Sequence, residues 1–358
     1  MPYKTALGHT YDSGDFKKNL SDCLTLSDYN SFESRKNISL KNNKYRGIGI
    51  STYIEACGGG GPEYCYLKIG GNGNVEVKIG TQSNGQGHET SYSQIVSEVL
   101  DIDISQINII QGNSIEIPKG SGTGGSRSMP VGGNALFLAS QKFLKDAQEL
   151  LAEHLNTKTE NIIYKKGVFK FNDKNYTYSD LTKLFSTLES LNIDADWTPK
   201  PGTYTYPNGT HICELEIDKL SGFVKIVNYS VIDDFGKVIN PLLLEGQVHG
   251  GIAQGVGQAL FEETIYDNNT GQLLNGSFMD YAIPRASDMP SIRFNYNEIL
   301  CTTNPLGIKG AGEAGAIGAP PAVINAVCNA LDIDHIDMPA KPEKVWRILS
   351  IKNSNSIS

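Results

Sequence analysis

One short pattern occurs twice in this chain and limits its possible folds more than any other feature. Residues 85–88 read Gly-Gln-Gly-His, and residues 246–249 read Gly-Gln-Val-His. Glycine allows left-handed backbone conformations and close approach by other groups. Each copy follows a predicted hairpin and opens a predicted helix. The repetition therefore predicts two related units that face a shared cleft, each directing a helix N-terminus into it.

Hydrophobic periodicity supports this duplication. Before each copy, apolar residues alternate as in paired strands, and after each copy they recur at helical spacing. The predicted elements are strands at 64–69 and 75–79 with a helix at 89–100 in the first unit, and strands at 211–217 and 224–232 with a helix ending near 262 in the second. The pattern favours an α+β fold of two related subdomains with mixed sheets and packed helices.

The rest of the chain is assigned around these two units. Ser13 is predicted to cap a helix, residues 28–44 to form a loop and residues 134–154 to form a long helix. Turn-forming residues at 197–208 indicate the main internal boundary. The predicted domains are a linker and helix at 1–45, a first subdomain at 46–195, a second subdomain at 196–351 and a frayed tail at 352–358.

Composition argues against several classes of function. The 358 residues carry 31 basic and 39 acidic side chains, a net charge of −8, without a run of Lys and Arg interleaved with aromatic residues, so a nucleic-acid surface is not expected. No apolar stretch is expected to reach the roughly 18 residues of a membrane span, and no signal peptide is predicted, so we expect a cytoplasmic protein. The six cysteines form no C-x-x-C pair, which argues against a zinc ribbon, an iron–sulfur cluster or a disulfide framework in this chain.

Gln86 and Gln247, the glutamines of the two copies, are candidate ligand-binding residues. A carboxamide can donate to one acceptor and accept from another donor, and a helix N-terminus favours an anion. Together these groups suit a large polar cofactor that carries phosphate. The alternative is that both glutamines are helix caps in glycine-rich turns and bind no ligand.

The loop at 123–128, Thr-Gly-Gly-Ser-Arg-Ser, is a second candidate anion site. Successive backbone N–H groups and two hydroxyls can surround a phosphate, and Arg127 can neutralise it. The loop lacks the Gly-Lys-Ser/Thr ending of a Walker motif, and Gly255-x-Gly257 does not complete a dinucleotide-binding pattern. An ordinary glycine- and serine-rich loop is the alternative.

Glu313 is the candidate catalytic residue. It is the one carboxylate in the small-residue segment 307–321, just before a predicted helix, where a substrate can approach it closely. Partial burial would raise its pKa toward a value suited to a general base, although a carboxylate stabilised by a helix dipole explains its position equally well. The histidines lack metal-binding spacing and Asp233-Asp234 is typical of a turn, so no metal ligand is assigned.

Five segments, taken together, resemble one protein family. They are GQGHET at 85–90, GGSRS at 124–128, VIDDFGKVINP at 231–241, EGQVHGGIAQG at 245–255 and KGAGEAGAIGAPPAVINA at 309–326. In this order they look like the C-terminal half of the molybdenum-binding large subunit in the xanthine dehydrogenase, aldehyde oxidase and aerobic carbon monoxide dehydrogenase superfamily.

The resemblance implies a second molybdopterin-binding domain, whose two subdomains grip a molybdopterin cofactor in the form of molybdenum cytosine dinucleotide. Glu313 would be the catalytic base in a hydroxylation that draws its oxygen from water. Gln86 would lie near the molybdenum, with its two glycine neighbours against the pterin. The implied cofactor-binding residues are Gly85, Gln86, Gly87, Gly125, Ser126, Arg127, Ser128 and Gln247.

The resemblance also implies partners, because the family's large subunit begins with another domain pair that is expected to be missing here. Iron–sulfur clusters and FAD would reside on a small and a medium partner subunit, in a dimer of heterotrimers. The chain would be inactive without its N-terminal half, and its substrate would be an aldehyde, an N-heterocycle or a similar small molecule, or carbon monoxide. The rival hypotheses are a noncatalytic molybdopterin-binding or assembly module, and a metal-dependent hydrolase, which needs His and Asp ligands not found in the sequence.

Overall fold

The computed structural model describes residues 1–58, 61–70, 72–185, 193–197 and 203–355. Its strands are β1 (Tyr3–Lys4), β2 (Thr10–Tyr11), β3 (Lys44–Ile54), β4 (Glu63–Ile69), β5 (Val75–Ile79), β6 (Ile107–Ile110), β7 (Ile163–Lys165), β8 (Val168–Phe171), β9 (Lys174–Thr177), β10 (Ile193–Trp197), β11 (Asn208–Asp218), β12 (Val224–Asp234) and β13 (Ile292–Asn297). Its α-helices are α1 (Phe16–Leu26), α2 (Phe32–Lys41), α3 (His88–Leu100), α4 (Asn134–His154), α5 (Tyr178–Leu184), α6 (Pro241–Leu260), α7 (Ala314–Leu331) and α8 (Pro342–Asn355).

Two four-stranded sheets are built in the same order. The first sheet has the strand order β10-β4-β5-β6 and the second has the order β3-β11-β12-β13. In each, an antiparallel hairpin leads through a helix, α3 or α6, into an edge strand that pairs in parallel, and a second helix, α4 or α7, follows. This arrangement confirms the α+β fold of two related subdomains with mixed sheets and packed helices.

Each sheet takes its remaining edge strand from a different place in the sequence. β10 pairs with β4, whereas β3 pairs along its whole length with β11. Residues 46–54 therefore belong to the second sheet, and their predicted place in the subdomain at 46–195 is wrong. The predicted boundary after residue 195 falls inside β10, and residues 198–202 of the predicted boundary segment lie outside the described residues.

The second sheet is covered on both faces. Helix α7 packs on one face, where Cys213, Leu215 and Val231 are buried, and α6 packs against α7. Helices α1 and α2 pack on the other face, where Ile212 and Ile232 point, because successive residues of a strand face opposite ways. Residues 1–45 are thus largely part of the second subdomain and not a linker.

The predicted loop at 28–44 is wrong, since α2 occupies most of it. This helix has no apolar stripe that periodicity could reveal, and polar contacts attach it to the sheet. Arg35 pairs with the buried Glu214, and Ser39 Oγ donates to Glu216 at 2.7 Å. The cap of α1 is Asp15 rather than the predicted Ser13, and α8 continues into the predicted tail as far as Asn355.

Helix α7 is by length and composition the one described helix that could cross a membrane, so the expectation that no segment reaches this length is wrong. More than half of its apolar window is buried. It is packed between β3, β11 and α6, as the core helix of a globular domain would be. A Cβ at Gly49 of β3 would lie 2.0 Å from the Ala322 carbonyl oxygen, so glycine is required for this close approach.

The crossing of α6 and α7 depends on another glycine. A Cβ at Gly251 would lie 2.9 Å from Gly315 Cα and 3.0 Å from Ala316 N, whereas a Cβ at Gly250 would enter open space. Gly251→Val should lower the free energy of unfolding by about 1–3 kcal/mol through overpacking. Gly250→Val makes the same change one position earlier and should cost less than about 1 kcal/mol. Urea denaturation of both variants measures the difference, and equal losses would contradict the packing argument.

Candidate cofactor site

A cavity of about 280 Å³ lies between the two subdomains. The first subdomain contributes the segment before α3 and the loop before α4, and the second contributes the start of α6 and the loop before α7. Of the residues predicted to bind or react, the following line the cavity: Gln86, Gly125, Ser126, Ser128, Gln247 and Glu313. Gly85, Gly87 and Arg127 are not among its lining residues.

Gln86 is presented by a sharp turn before α3. Its neighbours Gly85 and Gly87 have φ angles of 106° and 75°, which side chains other than glycine rarely adopt. A Cβ at Gly87 would also lie 2.7 Å from Leu243 Cδ2 on α6. This glycine therefore brings the first glutamine corner close to the second subdomain.

Gln247 occupies a different local position, so the prediction that both copies open a helix is wrong. Helix α6 begins at Pro241, six residues before Gln247, and Asn240 caps it by accepting from Leu243 N at 3.0 Å. Proline suits the first helical position because its φ is already helical and its missing N–H is not needed there. Gln247 therefore projects from the second turn of α6 into the same cavity that Gln86 lines.

Three helices nevertheless begin at the cavity. It is lined by His88 and Ser91 from the first turn of α3, by Asn240 at the start of α6 and by Glu313 immediately before α7. Among the described residues, no side chain caps α3 or α7, so N–H groups at these two ends are available to a ligand. Unpaired N–H groups and aligned peptide dipoles favour an anion at such a place.

Two hydroxyls of the loop before α4 form hydrogen bonds within the protein, and its predicted cation does not line the cavity. Thr123 Oγ1 donates to the Gln82 carbonyl at 2.6 Å and lies 2.9 Å from Ser128 Oγ. The Arg127 guanidinium is buried in an ion pair with Glu63, whose side chain is fully buried, and donates to the Gly122 carbonyl at 2.9 Å. Glu63 therefore balances the charge of Arg127 within the protein, and the neutralisation of a phosphate by Arg127 stays a prediction.

Ser126 connects this loop to the candidate base. Its φ of 50° is unusual for a residue with a side chain, and such strain is often kept at functional positions. Its Oγ lies 2.8 Å from Glu313 Oε2 and 3.0 Å from Oε1 of Glu55, a residue that sequence reasoning missed. The adjacent Glu313 carboxylate would repel a phosphate, so the backbone of Ser126 is better placed than its hydroxyl to contact one.

Glu313 lies at the edge of the cavity and is exposed, so the expected partial burial of its side chain is not present in this chain by itself. The loop that carries Glu313 is anchored to the protein interior by Lys309, a residue that sequence reasoning also missed. Lys309 Nζ lies 2.6 Å from Asp234 Oδ2, and both side chains are fully buried. Asp234 ends β12 as the predicted turn residue, and its charge anchors the loop that carries Glu313.

Comparison with known proteins decides the family. The family model of the molybdopterin cofactor-binding domain matches residues 22–290 of the chain. The chain belongs to the molybdopterin cofactor-binding domain family. The carbon monoxide dehydrogenase large chain of Hydrogenophaga pseudoflava is 30% identical over 99% of this chain, and the nicotine 6-hydroxylase large subunit of Paenarthrobacter nicotinovorans is 32% identical over 97% of it.

A solved structure shows the same fold for this molybdopterin-binding chain. The crystal structure of the Cu,Mo-CO dehydrogenase in its carbon monoxide reduced state matches with a TM-score of 0.88 and 30% identity, covering 99% of this chain and 48% of that one. The chain likewise spans 47% and 46% of the two relatives named above. It therefore corresponds to about half the length of the large subunits it matches.

The lining of the cavity fits a molybdopterin cofactor in chemistry. The carboxamides of Gln86 and Gln247 and two uncapped helix ends supply donors for a polar, anionic ligand. A Cβ at Gly124 or Gly125 would meet no atom within 4 Å, so the backbone there is open to close approach. His88 Nδ1 is buried without a hydrogen-bond partner among the described residues, and burial lowers the pKa of His88. Among these residues no group of three His, Cys, Asp or Glu side chains could hold a metal by itself.

Proposed function

We propose that this chain is the C-terminal part of a molybdenum hydroxylase large subunit, which binds the cofactor and supplies the general base. The observation that carries the proposal is the convergence of Gln86, Gln247 and Glu313 on one cavity between the two subdomains. The two glutamines lie on different subdomains, so a ligand held by both also holds the subdomains together. The membership of the family and the similarity to oxidoreductase large chains support the same conclusion.

Some residues of the chain would bind the cofactor, and Glu313 would transfer the proton. When bound, the molybdenum cofactor supplies a two-electron oxidation in which water provides the oxygen. The two carboxamides would orient the cofactor by donating and accepting hydrogen bonds, and the starts of α3 and α7 would balance its negative charge. The Glu313 carboxylate would accept a proton from the hydroxyl that attacks the substrate carbon, and Ser126 Oγ would hold Glu313 Oε2 in place.

We propose the substrate class and the partners from the named relatives. The named relatives act on carbon monoxide and on nicotine, so we propose an aldehyde, an N-heterocycle, a similar small molecule or carbon monoxide as substrate. Since the chain spans about half of these large subunits, the N-terminal half would come from a separate polypeptide or segment. A small subunit with iron–sulfur clusters and a medium subunit with FAD would carry the electrons away, in a cytoplasmic dimer of heterotrimers.

Cofactor content tests this proposal directly. The complex formed by co-expression with the products of neighbouring genes should contain about one molybdenum and one pterin per copy of this chain. Gln247→Leu should weaken cofactor retention roughly tenfold, because it removes a polar partner from a desolvated site. Gln254→Leu makes the same change on an exposed position of α6 outside the cavity and should retain the cofactor. Elemental analysis and pterin fluorescence measure both.

The outcomes separate the rival hypotheses. A complex that binds the cofactor but turns over none of the candidate substrates would favour the noncatalytic or assembly module. A complex without molybdenum, or equal retention by the Gln247 and Gln254 variants, would contradict the assigned binding site.

A further inference from the structure

A single hydroxyl bridges two carboxyl groups beside the cavity. Ser126 Oγ lies 3.0 Å from Glu55 Oε1 and 2.8 Å from Glu313 Oε2, and both distances are in hydrogen-bonding range. A serine hydroxyl has only one hydrogen to donate. It can therefore donate to one carboxyl group only, and the second contact is a hydrogen bond when the other carboxyl group carries a proton and donates to Oγ.

The proton belongs on Glu55 because its carboxyl group is the less solvated of the two. Glu55 Oε2 is buried without a hydrogen-bond partner among the described residues, whereas Glu313 is exposed. Burial raises the pKa of Glu55, and the neighbouring Glu313 carboxylate raises it further. Ser126 and the Cys57 thiol act on this pKa in the opposite direction, but the thiol makes no hydrogen bond of good geometry to Oε2.

The cations on the adjoining loops are held by other carboxylates. Arg127 is paired with the fully buried Glu63, and Lys309 is paired with Asp234 at 2.6 Å. The titratable groups that interact with Glu55 are Tyr53 and Cys57 from its own segment and Glu313 from the loop before α7. This environment favours a neutral Glu55 carboxyl group.

We propose that Glu55 is a positioning residue for the base: held protonated, it donates from Oε1 to Ser126 Oγ, which in turn donates to Glu313 Oε2. The proposal rests on the proposed function, in which Glu313 accepts the proton. With a proton on Glu55, each of these two hydrogen bonds has a fixed donor and a fixed acceptor, so the Ser126 hydroxyl hydrogen always points to Glu313. An ionised Glu55 would instead compete for the same hydrogen and leave the base less well oriented. The left-handed backbone of Ser126 places its side chain for this role.

The protonation of Glu55 can be measured on the chain without its cofactor. In carbon-13 spectra of protein labelled at the glutamate carboxyl carbons, Glu55→Gln identifies the Glu55 signal and Glu149→Gln identifies that of an exposed glutamate on α4. The Glu55 signal should show protonation at clearly higher pH than the Glu149 signal. Protonation of both at the same pH would overturn the proposal.

Turnover of the complete complex tests the positioning role. Glu55→Gln keeps a neutral donor toward Ser126 Oγ and should retain kcat within about threefold, whereas Glu55→Leu removes the donor and should lower kcat about tenfold with KM unchanged. Equal kcat values in the two variants would overturn the proposal. Full turnover in a Glu313→Gln variant would contradict the proposed function. The carbon-13 measurement decides the protonation state of Glu55 whether or not Glu313 is the base.

Discussion

Glu313→Gln should lower kcat of the assembled complex by about 10²–10⁴-fold, the usual contribution of a positioned general base. Glutamine has nearly the same shape as glutamate and can still contact Ser126 Oγ, but it cannot accept a proton at neutral pH. The loop should keep its conformation, because the buried ion pair between Lys309 and Asp234 anchors it. Molybdenum and pterin contents should therefore equal those of the unmodified complex. Because the lost interaction belongs to the transition state, kcat and kcat/KM should fall together.

The matched control for this experiment is Glu149→Gln on the exposed face of α4, which makes the same chemical change at a residue that does not line the cavity. It should leave turnover and cofactor content unchanged. Steady-state kinetics and elemental analysis on the same preparations separate a chemical defect from loss of the cofactor. Full turnover in Glu313→Gln with normal molybdenum content would show that another group takes the proton.

Sequence patterns predicted the elements that depend on local periodicity. The hairpins of both subdomains and helices α3 and α4 were confirmed, because alternation and helical spacing report directly on a half-buried strand or an amphipathic helix. The five motifs also indicated which segments meet, and the structure brings most of the predicted residues to one cavity. These successes share one cause: the relevant signal lies within about twenty consecutive residues.

The incorrect predictions concern contacts between distant segments. The pairing of β3 with β11 joins residues more than 150 positions apart, and strand periodicity does not identify the partner of a strand. Helix α2 is attached by Arg35 to Glu214, so its polar sequence resembled a loop. The ion pair of Arg127 was not predicted for the same reason, since its partner Glu63 lies in β4, more than 60 positions away. Glu55 had no motif of its own and became visible only when Ser126 was placed beside it.

The largest expected effect on stability is at Lys309. Lys309→Met should lower the free energy of unfolding by about 3–5 kcal/mol, the usual cost of removing one partner from a buried ion pair. The change leaves the Asp234 carboxylate buried, and its remaining donors in the described part of the chain are Gly236 N, Ile299 N and Asn208 Nδ2. Chemical denaturation measures the loss. The control Lys145→Met removes a cation from an exposed i,i+4 pair with Glu149 and should cost at most about 1 kcal/mol.

The Lys309–Asp234 pair also supports the cofactor site, because it lies beside the loop that carries Glu313. The loop carrying Glu313 is joined to the segment after β12 by the Gly236–Ile308 bridge and by Lys309 N, which donates to the Phe235 carbonyl at 2.8 Å. The buried pair adds the side-chain part of the same connection, so Lys309→Met should also lower cofactor retention in the complex. In the double variant Lys309→Met/Asp234→Asn the stranded charge is gone, and we expect part of the lost stability to return. A double variant that is destabilised by the full sum of the single losses would contradict the stranded carboxylate as the cause.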